Sequence, residues 1–343
     1  MKILSMVQSG KFGSIDDAIE AALTSYEGKG LSARDSARSR APPISDESAS
    51  RLPRDLPKSK KLMPSMADFD GSHIRFTEPL DQSRLTSKLM PITFQKFLPL
   101  KVALTESVIY LRDHENEDVL LRQLWAHVGP QAVSWGAALD EMDILLNRPR
   151  GERLSVSFPK QGDKSGKSMV RYLDSVFGTL LQDGRQSGVL PFLGFAKLTN
   201  ANGEASFGIT KEGLEFATLR NPVLSDGEYM FPPFSIQERD FLLDQISRRC
   251  PTEADHMRHY LVVLHQHPGI SRTEANRYMR GFYERIWNPL ELSSSLVDSL
   301  RGGVNSRCYE LGLAKTTREG VSAYYGATDL GLQWLGANEE TEQ

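Results

Sequence analysis

The loop Gly162-Asp163-Lys164-Ser165-Gly166-Lys167-Ser168 gathers glycines, lysines and hydroxyls ahead of a helical stretch, the residue types that cradle phosphate at a helix start. A nucleotide-binding loop needs four residues between its first glycine and Gly-Lys-Ser, and only three stand here. The spacing argues against nucleotide hydrolysis and leaves a basic loop that contacts phosphate backbone or simply meets solvent. His256 and His259 share a helix face, with Asp255, His265 and His267 nearby, which is the beginning of a metal-ligand set. His265 and His267, however, precede Pro268-Gly269, where imidazoles sit favourably at a helix C-terminus, and neither cysteine is spaced for zinc. No metal and no cofactor are expected. No nucleophile-elbow, zinc-protease or dinucleotide-binding signature occurs, and Asp140, Glu141 and Asp143 read as a solvated helix face, so no catalytic residue is assigned and the chain is not expected to be an enzyme.

The elements that position these residues must come from a chain of 343 residues, enough for about two domains at roughly 150 residues each. With 39% hydrophobic and 25% charged residues and a mean hydropathy of -0.38, the composition is that of an ordinary folded protein. The formal charge of -3 excludes a uniformly basic nucleic-acid coat but permits local basic patches. No run approaches the roughly 18 apolar residues of a membrane helix and no signal peptide is evident, so a cytoplasmic protein without membrane contact is expected. Cys250 and Cys308 are too few for a disulfide framework and are expected to be thiols.

Residues 1–27 read as a short helical segment. After the turn at Ser9-Gly10-Lys11-Phe12-Gly13, Ser14 can cap a helix whose apolar face carries Ile15, Ala18, Ile19, Ala22 and Leu23. This stretch resembles part of the ribbon-helix-helix proteins but lacks their preceding DNA-reading strand; a dimerisation or docking helix pair, joining a second copy or a protein partner, is the plainer reading. Residues 28–68 form an expected disordered linker rich in Pro, Ser and Arg. Between Gly28 and Leu62 it holds nine basic against four acidic side chains.

An internal repeat appears when residues 193–214 are laid over 311–332 at an offset of 118. Identities fall at Leu193, Gly194, Ala196, Lys197, Thr199, Gly208, Thr210, Gly213 and Leu214, and Phe216 lies over Trp334. Each copy predicts a helix end closed by glycine (Gly194, Gly312), a strand, a turn at Asn202-Gly203 or Arg318-Glu319-Gly320, a returning strand, and a helix capped by Thr210 or Thr328. The pattern resembles winged helix-turn-helix proteins of the MarR-like kind, in which a recognition helix runs into a two-stranded wing. Upstream of the second copy, His259 to His267 predicts a helix, Ser271 with Glu274 a capping box, and Ser293-Ser294-Ser295 the start of a third helix that Gly302-Gly303 would kink. In the first copy, helices are expected near 97–112 and 118–147, a strand at Leu154-Val156-Phe158, and the recognition-position helix from Ser168 through Leu180.

The expected fold is therefore mainly α with small β-hairpin wings, α+β in class. Two winged-helix modules stand in tandem, 69–222 and 223–338, before an acidic tail at 339–343. The resemblance implies non-enzymatic binding of double-stranded DNA, as a transcriptional regulator or a subunit of a DNA-handling complex. The DNA-binding set would be Lys160, Lys164, Lys167 and Arg171 in the first module, Arg272, Arg277, Arg280, Ser294, Asn305 and Arg307 in the second, and Lys197, Lys315 and Arg318 on the wings. The alternative is a protein-interaction scaffold, resembling the tandem winged-helix subunits of chromosome-organising ATPase complexes. The net acidity and the wing residues Phe207, Tyr324 and Tyr325 favour that alternative.

Overall fold

The two hairpins superpose residue for residue on the repeat. In the computed structural model, β1 (Ala196–Ala201) pairs antiparallel with β2 (Glu204–Ile209), and two later strands pair the same way at 314–319 and 322–327, each bound displaced by 118. The model describes Met63 and residues 74–114, 119–287, 291–320 and 322–339. The chain divides into units Met1–Pro57 and Lys58–Gln343, and every described residue belongs to the second. The helical segment expected within 1–27 lies outside the described residues, as does the linker except for Met63. That residue is buried, and its N–H donates to the carbonyl of Leu224 at 2.8 Å.

Among the described residues eleven α-helices and two small antiparallel sheets give a mainly helical α+β protein. Ahead of the first hairpin come α1 (Leu98–Asp113), α2 (Leu121–Leu145), α3 (Lys167–Val176) and the four-residue α4 (Val189–Phe192). After it follow α5 (Lys211–Thr218), α6 (Pro222–Asp226), α7 (Ile236–Arg249) and α8 (Pro251–Gln266). The short β3 (Ile270–Ser271) leads into α9 (Arg272–Glu284) and α10 (Ser294–Glu310), then β4 (Ala314–Glu319), β5 (Ser322–Ala327) and α11 (Asp329–Glu339). The second sheet has the order β3–β5–β4. The first sheet gains a matching edge, because Leu120 bridges Ser206 on β2 as Ser271 pairs with Tyr324 on β5. None of the described helices is long and apolar enough to cross a membrane.

The repeated glycines and threonines build one closure twice. Gly194 and Gly312 adopt φ of +71° and +74°, the left-handed turn that ends a helix. The Thr210 hydroxyl donates to the Gly194 carbonyl at 2.8 Å and accepts the N–H of Gly213 at 3.0 Å. Thr328 repeats both bonds, to Gly312 at 2.6 Å and from Gly331 at 3.1 Å. A Cβ added at Gly213 would lie 2.1 Å from the Phe195 carbonyl oxygen, and one at Gly331 would lie 2.2 Å from that of Leu313. Gly213→Ala and Gly331→Ala are each expected to lose about 1–3 kcal/mol of stability, measured by urea unfolding, because backbone must shift to admit the methyl group. A change below 0.5 kcal/mol, roughly the effect of an exposed substitution, would show the closure to be loose.

Four local expectations are corrected. Asp143, read with Asp140 and Glu141 as a solvated helix face, is fully buried. No strand forms at 154–158: the Asp143 carboxylate accepts the N–H groups of Leu154 and Ser155 at 3.0 and 2.9 Å, and holds them in a turn. The helix from Ser168 stops at Val176 instead of reaching Leu180. Gly178 has φ of +75° and packs so closely that a Cβ would stand 1.9 Å from the Ser187 carbonyl oxygen. Gly302-Gly303 does not break α10, which runs unbroken from its Ser293 cap.

One hydrophobic core runs through both halves, with Trp135, Phe97, Phe195, Phe216, Tyr260 and Tyr283 fully buried. Polar ties cross it. The buried Lys101 ammonium on α1 meets Glu238 on α7 at 3.1 Å and donates to the carbonyls of Phe216 and Leu219. Burial pushes this lysine down to about 8. Gln245 donates to the Leu193 carbonyl at 2.7 Å.

Candidate nucleic-acid interface

The loop before α3 owes its shape to its single acid. Asp163 accepts the N–H of Ser165 at 3.0 Å, its hydroxyl at 2.6 Å and the N–H of Ser168 at 2.7 Å, and these bonds hold the carboxyl well below its ordinary range. Gly162 and Gly166 take left-handed φ of +80° and +65° to close the turns on either side. With the carboxylate committed to backbone, Lys160, Lys164, Lys167 and Arg171 all stand exposed, and none of the four forms an ion pair among the described residues. Beside them a groove of about 510 Å³ is lined by Lys167, Arg171, Thr93, Ser165, Ser175 and Ser187, with Asp174 its one acid. Cations interleaved with hydroxyls are the side-chain set that grips phosphate oxygens.

The remaining expected contacts divide sharply. Lys315 and Arg318 on β4 are exposed and Lys197 on β1 is half-buried, all three without an ion pair among the described residues. Arg277 is exposed and lies over the Tyr278 ring at 4.9 Å. Arg272 is exposed yet grips Asp298 with two donors, its Nε at 2.7 Å. Arg280 pairs with Glu284 at 2.9 Å. On α10, Ser294 is exposed, whereas half-buried Asn305 accepts the Tyr260 hydroxyl at 2.7 Å.

Arg307 is not a surface residue at all. Its side chain is 2% exposed and donates Nε and Nη2 to Glu253 Oε1 at 3.1 and 2.7 Å, with Nη1 on the Phe94 carbonyl at 3.0 Å. A contact to DNA through Arg307 is excluded by that burial. The neighbouring Arg301 is buried as well, bonded to Asn276 and Asp298 and lying over the Tyr325 ring. The signal was present in the sequence: Arg307 falls in helical register with Val297, Leu300, Val304 and Leu311, all buried. Its partner Glu253 likewise falls in register with the buried Met257, Tyr260 and Leu264 of α8. Glu310 accepts the N–H groups of Phe97 and Leu98, the latter at 3.2 Å, at the start of α1.

The histidines are placed apart from any ligand set. His256 is buried with Nε2 at 2.9 Å from the Tyr283 hydroxyl, His259 stacks on Phe282 and His267 on Tyr278. No group of three or more His, Cys, Asp or Glu able to hold a metal ion occurs among the described residues. Cys250 and Cys308 are buried thiols pushed upward by desolvation.

No protein-family model, no curated protein and no solved structure matches this chain.

Proposed function

We propose that this chain binds double-stranded DNA without catalysis, through two winged-helix modules in tandem, as a transcriptional regulator or a subunit of a DNA-handling complex. The order α8, β3, α9, α10, β4, β5 with sheet order β3–β5–β4 supports the second module, since helix, strand, two helices and a hairpin is the winged-helix sequence of elements. The first module follows the same order with Leu120 at the β3 position, but its helix before the hairpin has shrunk to α4, whose four residues are all buried. Its DNA contact therefore moves to the preceding loop and α3.

The observation that carries the reading is the exposed, unpaired set Lys160, Lys164, Lys167 and Arg171 around an Asp163 whose carboxylate is taken up by the N–H and hydroxyl groups of its own loop. Lys197 and Lys315 on the hairpins and Arg277 on α9 add backbone contacts. Fluorescence anisotropy with random duplex DNA across a salt series tests it: log affinity falls linearly with log salt, by about 0.9 per phosphate neutralised. The triple variant Lys164→Glu/Lys167→Glu/Arg171→Glu weakens binding at least tenfold, a loss of about 1.4 kcal/mol or more, and flattens that slope. Absence of binding at low salt by the folded protein overturns the proposal.

One observation favours a protein-interaction scaffold instead. The outward positions Ser295, Ser299, Gly302 and Ser306 of α10 carry no charge, while its two arginines are buried. A partner recovered in pull-downs with a protein that ignores DNA would establish that second reading.

A further inference from the structure

A second cleft, of about 420 Å³, opens between the turn following α2 and the face formed by α10 and the second hairpin. Its walls are distant in sequence but tied together. The buried Lys96 ammonium donates to the carbonyls of Gly151 and Arg153, both at 3.0 Å, and so holds the turn from within. The Tyr309 hydroxyl on α10 donates to Glu152 at 2.9 Å, and Gly151 lies so near the Tyr309 ring that a Cβ there would meet Cε1 at 3.4 Å. These bonds commit the one carboxylate that lines the cleft to a neutral partner. Arg150 on the turn and Arg318 on β4 also line it, both exposed and neither in an ion pair among the described residues.

We infer that this cleft binds a small anion carrying phosphate or carboxylate groups, held by Arg150 and Arg318 from opposite walls. The guanidinium fork matches either group bidentately. The volume falls in the range of small-molecule sites. Asn305, Ser306 and Thr316 supply neutral polar groups along the floor. Arg318, expected from sequence to hold a DNA phosphate, is assigned here to the smaller ligand, so the site stands independently of the DNA-binding face at 160–171.

Isothermal titration calorimetry of the full chain with pyrophosphate, and separately with citrate, tests the assignment. One site per chain is expected for at least one of the two anions. Arg150→Gln and Arg318→Gln should each weaken it at least tenfold, while Arg122→Gln, an exposed arginine on α2 that pairs with Glu204, leaves it unchanged. Because Arg150 and Arg318 are exposed, thermal melting of both variants should match the wild type, which separates lost binding from lost folding. Pyrophosphate binding alone fixes the ligand as a phosphate, and citrate binding alone as a polycarboxylate. Lack of saturable heat with both anions overturns the site, and so does an equal loss in Arg122→Gln. The triple variant in the 160–171 loop should titrate as the wild type does, whatever becomes of its DNA affinity.

Discussion

Arg307→Ala is expected to lose about 3–5 kcal/mol of stability in urea unfolding at neutral pH, because it strands a carboxylate in the core. Glu253 is fully buried; among the described residues, besides Arg307, the Met90 N–H at 3.1 Å and His256 at 3.7 Å answer its charge. Burial alone would raise the Glu253 pKa; the Arg307 guanidinium, His256 and the Met90 N–H together more than reverse this and hold the carboxyl down to about 2. A depressed folded-state pKa means that the pair's stabilisation is present above the unfolded value of 4.5 and is lost as pH falls toward 2. The double variant Glu253→Leu/Arg307→Met should recover more than half of the single-variant loss, since the desolvation cost vanishes with the charges. A loss under 1 kcal/mol in Arg307→Ala would show that the pair contributes no more than a surface ion pair does, roughly 0–1 kcal/mol. Wherever the single variant remains folded, its affinity for duplex DNA should equal that of the wild type.

Glu310 titrates in the opposite sense. Fully buried, it has the backbone N–H groups of Phe97 and Leu98 and the charge of Lys96 in its favour, yet desolvation prevails and pushes it up to about 7. The folded state then holds a proton that the unfolded chain releases, so the contribution of this group to stability is complete below 4.5 and disappears as pH rises through 7. Glu310→Gln, which cannot ionise, should therefore gain on the wild type by about 3 kcal/mol between pH 4.5 and 7.5. His256, whose pKa burial lowers, favours folding as pH rises through the same region, but it is common to both proteins and cancels in the difference. Urea midpoints for the two proteins at half-unit steps of pH provide the comparison. A constant gap across the range would refute the assignment.

What could be read from the sequence was local. The hairpins, their left-handed glycines and their threonine caps each depend on residues within a few positions of one another, and so does the capping box of Ser271 with Glu274. The end of α3 was hidden because Gly178 is required by a backbone segment that approaches from Ser187, not by anything in its own helix. The continuity of α10 through Gly302-Gly303 was hidden for a related reason. A Cβ at Gly303 would lie 3.0 Å from Arg307 Nη1, so glycine there makes room for the buried guanidinium instead of marking a kink. The candidate DNA face was legible as a cluster of charges, but its availability depended on Asp163 bonding to Ser165 and Ser168 of its own loop. The crossing ties were invisible: Glu253 lies 54 residues from Arg307, and Glu310 lies 213 from Phe97. No periodicity links positions so far apart.

Those ties bear on how a long ligand would be measured out. Arg307 grips the Phe94 carbonyl, Glu310 the start of α1, Lys101 meets Glu238, and Gln245 holds the end of α4 at Leu193. These ties hold the two halves in one compact unit, which would set the distance between their outer faces. Under the proposed DNA binding, two footprints tied in this way would keep a single phase on a duplex with about 10.5 base pairs per turn. Half a turn inserted between them would put one footprint on the far side of the helix.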